Sequence, residues 1–299
     1  VCYFSITNGT GVAVPLDKYL PQNEVENLIN RGKVEAIFYS PTYYDMMKEI
    51  ARTNTRIKFY ICLEKLKNKE DDDKFLNVPD LIKTGAELLK KGDKLFIEAP
   101  IDPDKMSILL FTSGTTSASK GVMLSQSNIT SNMESVSTII KLHPHDVFLS
   151  LLPLHHTFEN TIGLLYMVHK GVCIAYNDGI KHVAQNLKEY NVTVLIVVPA
   201  ILELIYRRIT DEIKKSGKEK LVNTMMKITD SLRKMGIDVR RKIFKSIFDK
   251  LGPSLRLAVS GAAPLDPQVA MWFEKIGLTV LQGYGLTEAS PVICTNNDF

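Results

Sequence analysis

Several features that define large classes of protein are missing from this sequence. It has no apolar run of the ~18 residues that a helix needs to cross a membrane. Its four cysteines, Cys2, Cys62, Cys173 and Cys294, are far apart and form no CxxC pair. That spacing argues against a zinc site and a disulfide framework, and it favours a reducing, cytoplasmic setting. The net charge of +4 is small for 299 residues, so charge gives no reason to expect a nucleic-acid partner.

What the sequence does have is an alternation of short apolar runs with amphipathic segments. Val25, Leu28 and Ile29 recur at the spacing of a helix with one buried face. Such alternation predicts an α/β fold, with mainly parallel sheets flanked by helices. Strands are expected at 11–15, 34–39, 57–63, 108–111, 147–153, 171–176, 192–198, 255–260 and 278–282, the strand at 108–111 being central.

The most unusual stretch is residues 108–124, ILLFTSGTTSASKGVML. A strand-like run stops in a loop of small and hydroxylated residues that ends at Lys120. Backbone N–H groups, hydroxyls and one cation in a small space suit the oxygens of a polyphosphate. A solvated surface loop is the ordinary alternative. A Walker-type P-loop is excluded, because Ser119 stands where Gly is needed before the lysine and Gly121 stands where Ser or Thr is needed after it.

A second polar cluster, LHHTFE at residues 154–159, follows the run at 147–153. The carboxyl end of a strand is where open α/β sheets bind their ligands. A metal site at His155 and His156 is disfavoured, because adjacent side chains diverge and no third ligand is in view. Two interpretations of the pair stay open: structural packing, and a wall of an active site.

Two more motifs follow predicted strands. In SGAAPL, which starts at Ser260, the small residues leave room for a flat ring against the backbone. An ordinary turn into a helix that starts at Asp266 explains them equally well. In GYGLTE, residues 283–288, the ring of Tyr284 can stack on a base, and the hydroxyl of Thr287 can donate to phosphate. The carboxylate of Glu288 can hold Mg²⁺.

Residues 206–251 differ from the rest, because they combine helical composition with many lysines and arginines. Val222, Met225 and Phe248 are among the residues that give the segment apolar faces. One interpretation is a helical insertion packed on the main domain. The other is a basic amphipathic surface that approaches an anionic membrane.

The motifs FTSGTT, SKGV, LPLHHTFE, SGAAPL and GYGLTE resemble, in the same order, those of the AMP-forming, adenylate-forming enzymes. That superfamily includes acyl-CoA synthetases, luciferases and adenylation domains. It most often has Gly and Pro where this chain has Ser117 and Ser119. The Ser-Ala-Ser version resembles a bacterial long-chain fatty acid–CoA ligase. The resemblance implies the large N-terminal domain of the adenylate-forming fold.

Individual residues acquire implied roles from this resemblance. Catalytic roles are implied for His156, Lys120, Thr287 and Glu288, and Glu288 is also the implied Mg²⁺ ligand. Contacts with ATP are implied for the loop and the two later motifs: Thr112, Ser113, Gly114, Thr115, Thr116, Lys120, Gly261, Ala262, Ala263, Gly283, Tyr284, Gly285 and Thr287.

The resemblance also implies an organisation for the chain. Residues 1–106 are expected to be a first α/β portion. Residues 107–299 are expected to bind nucleotide and acyl group, and to carry the basic insertion at 206–251. The chain starts without Met, and the superfamily's ribose-binding motif and C-terminal lid domain are not in the sequence. We therefore expect a fragment of the N-terminal domain, incomplete at both ends and not catalytically competent alone.

The expected function is activation of a long-chain fatty acid with ATP and Mg²⁺, followed by transfer of the acyl group to CoA. Alternatives are transfer to a carrier protein, and a non-catalytic module that binds nucleotide or acyl groups. Peripheral contact with an anionic membrane through the basic insertion is compatible with each of them. The oligomeric state stays open.

Overall fold

The computed structural model describes residues 1–66, 72–112 and 119–296. The chain divides into two compact units, Val1–Ser127 and Asn128–Phe299. The predicted division into a first portion, 1–106, and a ligand-binding portion, 107–299, was based on motifs. It concerns function and stays a prediction. Within the described residues, no helix has the length and apolar character needed to cross a bilayer.

The first unit contains a small parallel sheet in the order β1-β2-β3. Its strands are β1 (Ala36–Tyr39), β2 (Phe59–Cys62) and β3 (Phe75–Asn77). The helices of this unit are α1 (Cys2–Thr7), α2 (Gln22–Arg31), α3 (Tyr44–Thr53) and α4 (Val78–Lys90).

In helix α2, the apolar residues that recur at helical spacing form the buried face. Val25, Leu28 and Ile29 are all buried, which confirms the helical face expected from their spacing. Val25 and Ile29 belong to one apolar cluster with Ile50 of α3 and Tyr60 of β2. Burying each such side chain contributes roughly 1.5–3 kcal/mol, so this cluster holds the helices on the sheet.

The strand predicted at residues 11–15 is wrong. Only Ala13 forms a bridge, which is parallel and made to Ile108. Its N–H donates to the carbonyl of Ser107 at 2.9 Å, and its own carbonyl accepts from the N–H of Leu109 at 2.9 Å. Pro15 has no N–H to continue this ladder, so the pairing stops after one residue.

Strands β4 (Met106–Thr112) and β5 (Lys120–Ser125) form a two-stranded antiparallel sheet. The expectation that β4 is a central strand is therefore wrong for the described part of the chain. The apolar run at 122–124 returns directly after the loop. A short connection permits antiparallel pairing, whereas parallel pairing needs a crossover of about a dozen residues or more.

The second unit is built on a six-stranded sheet in the order β11-β10-β9-β8-β6-β7. All neighbours are parallel except β10 and β11. Every residue of β8 is buried, as expected for a central strand covered on both faces. The strands are β6 (Val147–Ser150), β7 (Cys173–Tyr176), β8 (Val194–Val197), β9 (Leu257–Ser260), β10 (Thr279–Gly285) and β11 (Val292–Thr295).

Helices connect these strands, which confirms the predicted α/β class. A π-helix, Phe158–Tyr166, follows β6. The α-helices are α5 (Gln126–Ile139), α6 (Met167–His169), α7 (Val183–Glu189), α8 (Pro199–Lys215), α9 (Glu219–Lys234), α10 (Arg240–Ile243), α11 (Lys245–Leu251) and α12 (Pro267–Ile276).

The basic segment 206–251 packs against the rest of its unit. Met226 of α9 and Phe248 of α11 are buried in the same apolar cluster as residues of β8 and α12. Two of its arginines have internal partners. Arg240 Nη1 donates to the carbonyl of Glu274, and the guanidinium of Arg241 lies 3.7 Å from the ring centroid of Phe248. Part of the positive charge of this segment therefore makes contacts within the unit.

An ion pair between the buried Asp146 and the half-buried Arg256 closes the amino-terminal edge of the large sheet. Asp146, which directly precedes β6, accepts from Arg256 Nε at 2.9 Å and from Thr193 Oγ1 at 2.8 Å. Thr193 and Arg256 directly precede β8 and β9. Burial raises the pKa of Asp146, but hydrogen bonds from Arg256, the backbone N–H of His143 and Thr193, together with the charge of Arg256, outweigh it and lower the pKa to about 2. The three parallel strands are thus joined where they begin.

Candidate functional site

In the first unit, the structure describes the base of the candidate phosphate loop. Thr112 ends β4 and pairs in register with Lys120, which begins β5. Thr112 is half-buried and Lys120 is exposed, so the lysine side chain is accessible. Three further candidates and the glycine between them lie outside the described residues: Ser113, Gly114, Thr115 and Thr116.

In the second unit, three candidate motifs lie at the carboxyl ends of parallel strands of one sheet, namely β6, β9 and β10. Ser150 ends β6, and Ser260 ends β9 in register with Val197 of β8 and Gln282 of β10. Parallel strands that are level at their carboxyl ends place the residues that follow them along one edge of the sheet. The histidine, SGAAPL and GYGLTE motifs therefore share this edge.

The histidine motif forms a tight turn before the π-helix. The N–H of His156 donates to the carbonyl of Pro153 at 3.0 Å, and the carbonyl of His156 accepts from the N–H of Asn160 at 2.9 Å. The rings of His155 and His156 lie 4.2 Å apart between centroids. His156 is exposed and His155 is half-buried. The exposed ring is therefore the one that a ligand at this edge can reach.

The last residue of the motif, Glu159, is completely buried. Its Oε1 accepts a hydrogen bond from Ser150 Oγ at 2.5 Å, and its Oε2 has no partner among the described residues. Burial raises the pKa of Glu159 to about 7, against a smaller lowering by the Ser150 hydroxyl. Sequence analysis gave this residue no role. Its place directly after an apolar strand and two histidines was the available signal.

Other unpartnered oxygens lie at the same edge. In the described part of the second unit, the buried side-chain oxygens identified as lacking a hydrogen bond belong to Thr157, Glu159, Thr161 and Ser260. Each lies in or beside the π-helix, or ends β9. Buried polar groups normally have partners. Polar atoms without protein partners are thus concentrated where the sequence placed the ligand.

The SGAAPL motif makes a close turn after β9. A Cβ on Gly261 would lie 2.9 Å from the ring of Phe158, so the absence of a side chain lets the turn pack against the π-helix. Ala262 has a φ of 70°, a left-handed conformation that is uncommon for a residue with a side chain. Ala262 and Ala263 are exposed, which leaves the outer surface of the turn open. The helix predicted from Asp266 is confirmed as α12, with Asp266 as its N-cap.

The GYGLTE motif is partly strand, where the sequence predicted that the strand ended at residue 282. β10 continues to Gly285 because β11 supplies an antiparallel partner. A Cβ on Gly285 would lie 2.0 Å from the carbonyl oxygen of Pro291, so only glycine fits this crossing. Tyr284 is 64% exposed, and its ring is available for stacking. Glu288 is also exposed, in the 3₁₀ turn Thr287–Ala289.

Asn132 of α5 holds this turn in place. Its Nδ2 donates to the carbonyl of Ala289 at 3.1 Å and to that of Val292 at 2.7 Å, and its Oδ1 accepts from the N–H of Val292 at 3.3 Å. One side chain therefore bridges both ends of the segment that follows Thr287 and Glu288. Sequence analysis missed Asn132, since a polar residue in a helix carries no sign of a partner more than a hundred residues away.

The fold and this edge define an α/β protein with a candidate ligand site, and comparison with known proteins identifies its family. The family model described as AMP-binding enzyme matches residues 1–299. The chain therefore belongs to the AMP-binding enzyme family.

Curated relatives carry related names. The chain is 29% identical over 303 residues to long chain acyl-CoA synthetase 7, peroxisomal, of Arabidopsis thaliana, covering 96% of this chain and 42% of the relative. It is 29% identical to long-chain-fatty-acid–CoA ligase 5 of Rattus norvegicus over 303 residues, covering 93% of this chain and 43% of that relative. The chain thus spans less than half the length of the curated relatives that it matches.

Solved structures share the fold. The anthranilate CoA ligase AuaEII in complex with anthranoyl-AMP matches with a TM-score of 0.70 and 17% identity, covering 99% of this chain and 49% of that one. ATP-bound MatB from Rhodopseudomonas palustris matches with a TM-score of 0.67 and 22% identity, covering 99% and 48%. The N-terminal domain of FACL13 from Mycobacterium tuberculosis matches with a TM-score of 0.63 and 18% identity, covering 96% and 60%.

Proposed function

We propose that this chain is the nucleotide- and acyl-binding part of an AMP-forming long-chain fatty acid–CoA ligase. The fatty acid carboxylate attacks the α-phosphate of ATP, which forms acyl-adenylate and releases pyrophosphate. The thiol of CoA then attacks the acyl carbonyl, which forms the thioester and releases AMP. The observation that carries this proposal is the family match over residues 1–299, together with relatives that are named long-chain acyl-CoA synthetases.

The first reaction brings a carboxylate towards a polyphosphate, so repulsion between anions is its main obstacle. In the first unit, we assign Lys120 and Thr112 to the phosphates, with the loop residues between them. An exposed lysine on a strand at the base of a loop can move its charge with the leaving pyrophosphate. Preorganised donors of this kind each contribute on the order of 10²-fold to a rate.

In the second unit, we assign His156 to the substrate carboxylate and Thr287 to phosphate. The exposed ring of Tyr284 and the open turn from Gly261 to Ala263 are assigned to the adenine base. This assignment is supported by the exposure of His156, Tyr284, Ala262 and Ala263 at the carboxyl edge of the sheet, where Thr287 is half-buried. It predicts that they affect nucleotide affinity more than stability.

Glu288 is the residue that fits Mg²⁺. Its carboxylate is exposed, and magnesium is usually bound through one or two carboxylates together with substrate phosphates, rather than by a complete protein cage. Among the described residues, no group of three or more His, Cys, Asp or Glu could hold a metal alone. A bound magnesium ion would neutralise phosphate charge as that charge develops.

Calorimetric titration of the chain with Mg-ATP, and separately with a sulfamoyl analogue of a long-chain acyl-adenylate, tests the proposal. We expect both ligands to bind, and Lys120→Ala or Glu288→Ala to weaken the binding of Mg-ATP by about tenfold or more. Lys105→Ala is the matched control for the first variant, because Lys105 is an exposed lysine that directly precedes β4. Binding that is insensitive to both site variants, or equally sensitive to the control, would contradict the assignment.

The acceptor is tested on the full-length protein. With a CoA ligase, added CoA gives acyl-CoA and AMP in equal amounts. With a carrier-protein acyltransferase, AMP release requires the carrier. A non-catalytic module releases neither AMP nor pyrophosphate, although it binds the analogue.

We also propose a cytoplasmic protein that makes peripheral contact with anionic membranes through residues 206–251. This segment has 14 Lys and Arg against 6 Asp and Glu. A crevice of ≈ 330 Å³ lies between α8, α9 and α11, is lined mainly by apolar side chains such as Ile213, Val222 and Phe244, and has Lys218 at its border. Charge and apolar surface together favour an interfacial site.

Vesicle co-sedimentation in low and physiological salt tests this contact. We expect binding to anionic vesicles that weakens with salt, and further weakening in the double variant Lys218→Glu, Lys220→Glu. The double variant Lys90→Glu, Lys91→Glu is the control, because it makes the same charge change at exposed lysines of the first unit. No binding at low salt would contradict the proposal.

A further inference from the structure

The carboxyl group of Glu159 lies in a closely fitted position at the start of the π-helix. A Cβ on Gly163, four residues later, would lie 2.7 Å from the Cδ and Oε2 of Glu159 and 2.9 Å from its Oε1. The carboxyl group therefore occupies the space that a side chain at 163 would need. On its other side, Ser150 at the end of β6 donates to Oε1 at 2.5 Å. This contact links the helix to the sheet.

The same turn carries the candidate substrate residues. His156 is joined to the start of the π-helix by the hydrogen bond from the N–H of Asn160 to its carbonyl. Phe158, the first residue of the helix, packs against Gly261. A shift of Glu159 would consequently move the histidine turn and its contact with the SGAAPL motif. π-helical segments are rare and are often found at functional sites.

The position admits the neutral acid far better than the carboxylate. Glu159 is fully buried, and Oε2 has no partner among the described residues to stabilise a charge. Among the described residues, burial raises its pKa to about 7 and the Ser150 hydroxyl lowers it. The nearest titratable side chains along the chain are His155 and His156, and neither contributes to this shift.

We propose that Glu159 is a proton-dependent positioning residue: its neutral carboxyl group fits between the first turn of the π-helix and the end of β6, whereas the carboxylate is driven towards water, because burial of the charge costs more than the single hydrogen bond from Ser150 recovers, and this releases the turn together with His156. Acyl-adenylate binding is then strong below neutral pH and weakens above it. The inference rests on the proposed function for the role of His156, but the coupling between Glu159 and the turn can be measured without any ligand.

The first experiment measures this coupling by NMR. With the chain isotope-labelled at asparagine, the backbone amide signal of Asn160 is followed from about pH 5.5 to pH 8.5. We expect it to titrate with a midpoint near 7 in the wild-type chain and to stay constant in Glu159→Gln, which is similar in shape but cannot ionise. A signal that is constant in the wild type, or that titrates equally in both, overturns the proposal.

Ser150→Ala identifies the titrating group. The Ser150 hydroxyl lowers the pKa of Glu159, so its removal must move the midpoint to higher pH. A titrating histidine in the turn would not respond with this sign. This variant also keeps the test decisive if Glu159→Gln fails to fold. An unchanged or lowered midpoint overturns the proposal.

The second experiment measures affinity for the acyl-adenylate analogue over the same range. For the wild type we expect the dissociation constant to rise by up to about tenfold for each pH unit above about 7. For Glu159→Gln we expect a flat profile. Binding that is equally pH-dependent in both overturns the proposal and leaves the proposed function intact. Absence of binding at every pH contradicts the proposed function, while the NMR result still decides the coupling.

Discussion

The ion pair at the amino-terminal edge of the large sheet leads to a quantitative prediction about stability. The side chain of Asp146 is 1% exposed, and that of its partner Arg256 is 38% exposed. Removing one member of a buried pair typically costs about 3–5 kcal/mol, because the other charge is left without its partner. Since Arg256 can partly rehydrate, we expect Asp146→Ala to lower the free energy of unfolding by about 3 kcal/mol.

Denaturant unfolding followed by tryptophan fluorescence measures this effect. The single tryptophan, Trp272, lies in α12 of the second unit and contacts the rings of Tyr206 and Phe273. It therefore reports on the unit that contains the ion pair. Asp249→Ala is the matched control, because Asp249 forms an exposed pair with Lys245 at 2.9 Å. Exposed pairs contribute only about 0.2–1 kcal/mol.

A thermodynamic cycle with Arg256→Ala and the double variant then isolates the interaction. We expect the double variant to lose less than the sum of the two single losses, because the second substitution removes a group that is already unpaired. If Asp146→Ala is no more damaging than Asp249→Ala, the argument from burial is refuted. Strict additivity would show that the two residues act independently.

The pair also predicts a pH dependence. The pKa of Asp146 is lowered to about 2 in the folded chain, against about 3.9 for an unperturbed aspartate. Its contribution is complete above about pH 4 and is lost as the pH falls through about 2. Two pKa units correspond to roughly 2.7 kcal/mol. The stability difference between the wild type and Asp146→Asn should therefore shrink below about pH 4. A difference that is constant between about pH 5 and pH 2 would contradict this cause.

Two further substitutions test how the GYGLTE turn is held. Asn132→Ala removes three hydrogen bonds to the segment 289–292, so we expect a loss of about 1–3 kcal/mol. Faster amide exchange should be confined to that segment, and uniform exchange across the unit would contradict a local role. Gly285→Ala places a Cβ 2.0 Å from the carbonyl oxygen of Pro291, and we expect it to reduce affinity for the adenylate analogue by about tenfold or more. Gly85→Ala is its control, since no atom lies within 4 Å of a Cβ there, and equal effects of the two would disprove the steric argument.

Local patterns predicted the regular elements well. Each of these predictions depends on residues that are close together in the sequence. They are the buried face of α2, the apolar runs that form β6 and β8, and the N-cap at Asp266. Periodicity and capping are local signals. The α/β class followed from their alternation, without knowledge of which strands are neighbours.

Features that depend on distant partners were missed. β10 extends through Gly285 only because β11 pairs with it. The contacts of Asn132 with the turn after Thr287 cross more than a hundred residues. The hydrogen bond of Glu159 with Ser150 joins the π-helix to the end of β6, and no periodicity in the sequence connects these two residues. Such contacts are set by the tertiary fold, which overrides local preference.

The two edges of the large sheet differ in whether their buried polar groups have hydrogen-bond partners. At the amino-terminal edge, the carboxylate of Asp146 is fully hydrogen-bonded, and its charge stabilises the fold. At the carboxyl edge, Glu159 and Ser260 keep buried oxygens that no described residue satisfies. An unpaired buried polar atom costs about 1–3 kcal/mol, so the second edge is the less stable arrangement unless water or a ligand completes it. Substitutions at the two edges should therefore separate stability from affinity for the acyl-adenylate analogue. Asp146→Asn should reduce the free energy of unfolding and leave the affinity for the analogue unchanged. Glu159→Gln should leave the chain as stable or more stable at pH 8 and change the pH profile of analogue binding. If both variants changed both properties in the same proportion, the assignment of different roles to the two edges would be wrong.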